Sequence, residues 1–313
     1  MNTLETQPVL ETATEPIAPA AVPSPALDEY YSEAGPDYAA WSAAYNMHFG
    51  YFRWGANPFH REPMLERMNL EILDRLRIPA ATPAHILDMG CGVGATLRSL
   101  APRLPHATLT GITIVPWQIE RATQLNQTAR GAERIDTARI HLVQGDYEQT
   151  AFDSASFDAA YALESSCHAH GRDKALFLAE AHRLLRPGGR LVVADGFLRR
   201  DLALIGPQRA LYRRLCECWV IETFAELSLF LHTLTSLNFT DIKVERAQLR
   251  VAPSTFHIPL VTAKFLLTDV VFGKRRMTRA RWNNILAPVI LPLLGAPLGP
   301  LEYCIVSATK GHA

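Results

Sequence analysis

Charge of neither sign prevails in this chain: 31 lysines and arginines stand against 31 aspartates and glutamates. Without a basic field there is no electrostatic footprint for nucleic acid, so no nucleic-acid partner is expected and small or apolar molecules are. Cysteine is scarce. The five, Cys91, Cys167, Cys216, Cys218 and Cys304, are odd in number and lack paired zinc-ligand spacing, so neither a disulfide framework nor a metal site is expected. Cys216 and Cys218 stand one residue apart in an expected helix, where their side chains diverge too far for a local disulfide. The cysteines read as reduced thiols, for which a cytoplasmic location is expected, at the membrane surface if the protein is peripheral. The first 26 residues hold no basic residue and no long apolar run, so they do not read as a secretory signal. Their Pro, Ala, Thr and Glu give a folded core little to bury, and a disordered tail is expected over residues 1–27.

What the sequence does have is a passage from strand through glycines into helix, HILDMGCGVGATLRSLA, from His85 to Ala101. Ile86, Leu87 and Met89 read as a buried strand ending beside Asp88. Gly90, Gly92 and Gly94 allow a tight turn and a close backbone approach to a ligand, and Leu97 and Leu100 mark the inner face of the next helix. Such a loop lies at the carboxyl ends of strands, where open α/β sheets bind ligands. The dinucleotide fingerprint G-x-G-x-x-G is absent. In its place stands D-x-G-x-G-x-G, whose acid repels a pyrophosphate and suits a cationic cofactor carrying an amino group and a sulfonium.

At these residues the chain resembles the class I S-adenosylmethionine-dependent methyltransferases, over about residues 84 to 200. The resemblance implies an α/β, Rossmann-like, seven-stranded, mostly parallel sheet with helices on both faces, an N-terminal aromatic helical cap and a C-terminal helical insertion. It divides the chain into the tail, a cap over 28–80, a cofactor-binding core over 81–200, and a C-terminal lid with the final strands over 201–313. It also makes Asp88, Gly90, Cys91, Gly92 and Gly94 cofactor-binding residues and S-adenosyl-L-methionine the cofactor.

Further landmarks refine the group. Strand Ala107–Ile114 is followed by a helix from Pro116. Most of the family carry a ribose-binding acid at the end of this strand, but here the position is Thr113, with Gln118 five residues on. That spacing is similar to the cyclopropane fatty acid synthases and the sterol and tocopherol methyltransferases, and implies a hydroxyl and an amide in place of the carboxylate. A third strand, Ile140–Gln144, leads to Gly145, Asp146 and Tyr147, which by the same resemblance hold the adenine. A fourth, Phe157–Leu163, delivers ESSCHAH, and YALESSCHAH resembles the signature of the C-methyltransferases that act on sterol side chains. That implies catalytic roles for Glu164 and His168 beside the methyl donor. The helix Asp173–Leu185 is expected to stop at RPGGR before strand Leu191–Asp195.

Ten aromatic residues lie between Tyr30 and Phe59, ahead of the first strand. They read either as packing of a helical cap or as aromatic faces lining an apolar, cation-tolerant pocket. The run DYAAWSAAYNMHFGYF also resembles the stretch before the cofactor loop in sterol and tocopherol methyltransferases. A helix over Pro63–Leu76 presents one apolar face.

The last third predicts a helical stretch over Leu202–Leu237, then strands Thr240–Arg246 and Tyr303–Ala308. Between these strands an apolar run, Ile258–Phe272, precedes KRRMTRAR and APVILPLLGAPLGPL, whose four prolines argue against a spanning helix. The basic run beside an apolar one reads as peripheral contact with an anionic membrane or as a solvated helix face beside a packed loop. The sequence leaves the oligomeric state open.

The expected activity is methyl transfer to a hydrophobic small-molecule acceptor, a sterol or another isoprenoid alkene carbon. Carbon methylation leaves a carbocation, for which Glu164 is the counter-charge and His168 the proton acceptor. Alternatives are O- or N-methylation of a small phenol, quinol or amine, and an inactive cofactor- or lipid-binding protein. For the two residues the plainer readings are cofactor binding by Glu164 and a structural role for His168.

Overall fold

The computed structural model describes residues 24–132, 135–199, 206–296 and 299–312. Eight strands form one sheet: β1 (Ala84–Met89), β2 (Ala107–Thr113), β3 (Ile140–Gln144), β4 (Phe157–Leu163), β5 (Leu185–Leu198), β6 (Ala225–Glu226), β7 (Phe239–Arg246) and β8 (Leu301–Lys310). Seven run in the order β3-β2-β1-β4-β5-β8-β7, and the two-residue β6 pairs with the end of β5, so the expected count of seven rises to eight. β8 runs antiparallel to β5 and β7, and the remaining pairs are parallel.

Burial explains this order. β1, β2 and β4 are buried at nearly every position, as parallel strands covered on both faces must be, and their sequences are correspondingly apolar. β7 lies at an edge and is largely exposed, with Asp241, Lys243, Glu245 and Arg246 along it. Charges of that kind discourage edge-to-edge pairing with other chains. The helices Arg61–Leu76 and Ala95–Leu100 supply Met68, Ile72, Leu97 and Leu100 to one core. Ala175–Leu184 and Leu227–Ser236 supply Phe177, Leu178, Phe230 and Leu234 to a second, on the other face.

Several expected boundaries move. The RPGGR segment lies within β5, which begins at Leu185, directly after the helix ends at Leu184. Gly188 takes a φ of 79° there, and the pairing with β4 shifts register between Phe157 and Ala159, so the turn is absorbed as an irregularity in one long strand. The expected helix Leu202–Leu237 falls partly outside the described residues, and the rest breaks into Gly206–Trp219, β6 and Leu227–Ser236. The prolines of the last run do not prevent a helix: Arg279–Leu294 continues through Pro288 and Pro292. Its buried Ala287, Ile290 and Leu294 pack with Leu215 and Cys218, and such tertiary burial outweighs the backbone bonds that proline removes. The expected tail to residue 27 lies mostly outside the described residues, and a helix, Pro25–Ala34, starts inside its expected span with Ser24 as its cap. All five cysteines are free and buried.

One close approach fixes how the first crossover helix sits on the sheet. A Cβ at Gly111 of β2 would lie 2.6 Å from Leu97 Cδ1 and 2.8 Å from Cys91 Cβ. Gly111→Ala is therefore expected to lower stability by about 1–3 kcal/mol, read as a lower urea midpoint with an unchanged slope.

Candidate active site

The carboxyl ends of β1 to β5 converge on one cavity of 1290 Å³, roofed by Pro25–Ala34 and by the helices Gln248–Thr255, Ile258–Phe265 and Arg279–Leu294. Of the residues singled out in the sequence, Asp88, Gly90, Cys91, Gly92, Thr113 and Gln118 line it from β1, β2 and their loops. Gly145, Asp146, Tyr147, Glu164 and His168 line it from β3 and β4. Gly94 is not among the lining residues. Its φ of 75° makes it the left-handed residue that opens helix Ala95–Leu100.

The glycine loop turns as only glycine readily can, with φ of 102° at Gly90 and 50° at Gly92. A Cβ on Gly90 would meet Ser165 Cβ at 2.4 Å, so the loop from β1 and the segment after β4 touch across the floor of the site. Asp88 accepts a hydrogen bond from the Tyr161 hydroxyl at 2.8 Å, and burial pushes its pKa up to about 7. The Thr113 hydroxyl donates to Gln118 Oε1, which leaves the Gln118 amide protons to a ligand. Tyr147 is half-buried with its hydroxyl on the Ser165 carbonyl at 2.9 Å and its ring edge against Phe177, so it braces the floor.

Glu164 follows β4 with a φ of 51°. Its Oε1 accepts from the Phe49 amide and from the Tyr303 hydroxyl, both at 2.9 Å. Burial pushes its pKa up to about 8, and among the described residues no ion pair involves it. His168 Nε2 lies 3.0 Å from the Tyr31 hydroxyl. Burial lowers its pKa to about 4, against the pull of the Val220 backbone, so the imidazole is neutral at pH 7.

Three contributors escaped the sequence reading. Asp195, at the cavity wall, accepts from the Ser166 hydroxyl at 2.7 Å and the Cys167 amide at 2.9 Å. Lys174 is wholly buried and donates to the carbonyls of Cys167, Ala169 and Thr223, which pins the segment carrying His168. Tyr303 completes the set, beside Tyr31 from the aromatic cap. Asp195 appeared only as the end of an expected strand, and nothing in the sequence marked Lys174. Of the ten cap aromatics, Tyr30, Tyr31, Tyr38, Trp41, Tyr45 and Phe49 line the cavity. Tyr51 and Phe52 are packed in the interior, and Trp54 and Phe59 are exposed. The faces of Trp41 and Tyr45 already carry the guanidinium groups of Arg61 and Arg121 at 4.8 and 4.7 Å, which leaves the tyrosines near His168 to meet a ligand.

Two acids, Asp88 buried and Glu164 half-buried, with no cationic neighbour among the described residues, a cradle that a Cβ would fill and a free amide fit a cationic, adenosine-bearing group. Comparison with known proteins agrees. Residues 87–193 match a methyltransferase domain family. The chain is 39% identical to an O-methyltransferase of Pyrenophora dematioidea, over 48% of this chain and 52% of that protein. It is 33% identical to the O-methyltransferase resE of Aspergillus sclerotiorum, over 63% of this chain and 71% of that one. It is also 33% identical to 24-methylenesterol C-methyltransferase 2 of Arabidopsis thaliana, over 51% and 44%. The chain thus spans about half the length of the first and last of these relatives. Among solved structures, the cyclopropane synthase MmaA2 of Mycobacterium tuberculosis superposes with a TM-score of 0.71 at 15% identity, covering 91% of this chain and 97% of that one. At that identity the likeness is one of fold.

Two outcomes follow from the geometry. Gly90→Ala strains a positive φ and collides with Ser165, and should weaken cofactor binding at least tenfold by calorimetry while far-ultraviolet circular dichroism stays unchanged. Asp88 and Glu164 are held above their ordinary pKa, so the folded protein keeps protons that the unfolded one sheds. Stability should then fall as pH rises through neutrality towards 8, and Glu164→Gln should flatten the upper part of that slope in ligand-free melting curves.

Proposed function

The chain belongs to the class I S-adenosylmethionine-dependent methyltransferases, and we propose that it methylates an unsaturated carbon of a hydrophobic acceptor, a sterol or another isoprenoid. The observation that carries this reading is Glu164: a half-buried carboxyl held by Tyr303 and the Phe49 amide, without an ion-pair partner among the described residues, in a cavity whose other wall is Val251, Val261, Phe265, Ile285 and Leu291. An acid so placed is costly to ionise until a cation arrives. When bound, S-adenosylmethionine supplies an electrophilic methyl group on a sulfonium sulfur.

Asp88, Gly90, Gly92, Thr113, Gln118 and Asp146 are the residues that would hold the cofactor. The acceptor would occupy the apolar wall. Alkylation of an alkene consumes its π pair and leaves positive charge on the neighbouring carbon, with a proton then to be lost. Glu164, ionised in the presence of positive charge, would offset it inside a site that excludes water. His168 would take the proton at Nε2, where Tyr31 now bonds. A proton beside a carbocation is a strong acid, so a base as weak as this imidazole suffices. Lys174 would fix the imidazole by holding the backbone around it.

The O-methyltransferase names of two relatives favour a second reading, methylation of a phenol or quinol hydroxyl with His168 as its base. Incubation with methyl-labelled cofactor and a panel of sterols, linear isoprenoids, prenylated quinols and amines separates the two. A new carbon–methyl bond in the organic extract supports the first reading, and label confined to oxygen or nitrogen overturns it. With a carbon acceptor, Glu164→Gln and His168→Ala should each lower kcat by about a hundredfold, with cofactor affinity for the His168 variant near that of the parent protein.

A further inference from the structure

The helical run from Gln248 to Phe272 is apolar on both of its sides, which a helix facing water is not. One side is spoken for: Val251, Ser254, Ile258 and Phe265 are buried, and Val261 and Thr262 line the cavity. The other side repeats at helical spacing through Leu249, Phe256, Leu260, Leu267 and Val271, all exposed, with Leu249 and Phe256 at 78% and Leu260 at 72%. By length and composition this run is apolar enough to cross a membrane, at a mean hydropathy of 1.4 over its best window. Its inner side is nonetheless bonded into the fold, since Ser254 accepts from the Gly50 amide and Gln248 donates to the Gly295 carbonyl. The run therefore lies along a surface.

Two exposed aromatics extend the apolar face. The Arg250 guanidinium sits 5.8 Å over the Trp54 ring, and His257 Nε2 is 2.8 Å from the carbonyl of Pro58, next to Phe59. Trp54 and Phe59 are exposed by 77% and 82%. Directly after Phe272 come Lys274, Arg275, Arg276, Arg279 and Arg281, and no acid occurs between Val270 and Leu301. Arg275 and Arg281 pair with Asp37. Lys274, Arg276 and Arg279 are exposed and in no ion pair among the described residues. Three uncompensated cations at the end of an apolar face match an anionic lipid surface, with the aromatics suited to its interface. Leu249 and Phe256 also line the cavity, so the mouth of the site opens on this same face.

We propose that the outer side of Gln248–Phe272, with Trp54, Phe59 and the cations Lys274, Arg276 and Arg279, docks on an anionic bilayer and turns the cavity mouth towards the lipid. This goes beyond the methyl-transfer reading and its test needs no acceptor. The purified full-length protein is floated with phosphatidylcholine vesicles with and without one third phosphatidylglycerol, at low and high salt. Co-flotation with the anionic vesicles, weakened by salt, is expected. Leu260→Glu with Leu267→Glu, two residues outside the cavity lining, should abolish it. Lys274→Glu, Arg276→Glu and Arg279→Glu together should weaken it about a hundredfold, with melting temperature unchanged. Failure of the parent protein to float, or flotation indifferent to both sets of changes, overturns the proposal. So does light scattering that finds a lipid-free dimer which Leu260→Glu disperses, since a second copy then covers the face.

Discussion

Asp88, Glu164 and Asp195 stand at or just beyond the carboxyl ends of β1, β4 and β5, three strands that lie side by side, and burial makes charge on any of them costly. Each is met by donors without formal charge: Tyr161 for the first, Tyr303 and the Phe49 amide for the second, Ser166 and two backbone amides for the third. Those donors come from β4, β5, β8, a loop within the cap and the segment after β4. The shape of the cavity therefore depends on a cost that protein dipoles only partly offset. A cationic ligand supplies what the protein withholds, which is why the methyl donor and the carboxyls suit one another.

The ammonium of Lys174 does the opposite task on the same segment. Its protons are taken by three backbone carbonyls, two of them within the turn that carries Cys167 and Ala169 and one on the far side at Thr223. Hydrogen bonds to backbone leave little freedom to the turn between, where His168 faces Tyr31. The helix bearing Tyr31 is itself fastened to the C-terminal helix, through Tyr30 to Asn284 and through Arg281 to the Glu33 carbonyl. The first described helix and the last thus close over the site together.

Much of this was legible because local rules decided it. The glycines after Asp88 announced a turn that positive φ requires, and the parallel strands showed as apolar runs because both of their faces are covered. Contacts made across long separations were not legible. Nothing near Lys174 foretells that its carbonyl partners lie at Cys167, Ala169 and Thr223, and Tyr303 and Glu164 pair across 139 residues of chain. Pro288 and Pro292 spoke against a spanning helix and not against a short packed one, and packing against Leu215 and Cys218 decides this one. RPGGR marked the end of its helix, but not that the segment itself joins the next strand, since a long central strand tolerates a bulge that a short one would not.

The two-sided character of Gln248–Phe272 has a consequence for how this segment can vary. Inward and outward positions interleave along one run of backbone, so, apart from Leu249 and Phe256, which serve both, what the cavity accepts and what the surface meets lie on opposite sides and can drift separately by substitution. They cannot drift by insertion. One extra residue would rotate everything beyond it by about 100°, exchanging lining for surface in a single event. The length of this stretch is therefore held more tightly than the identity of any residue in it.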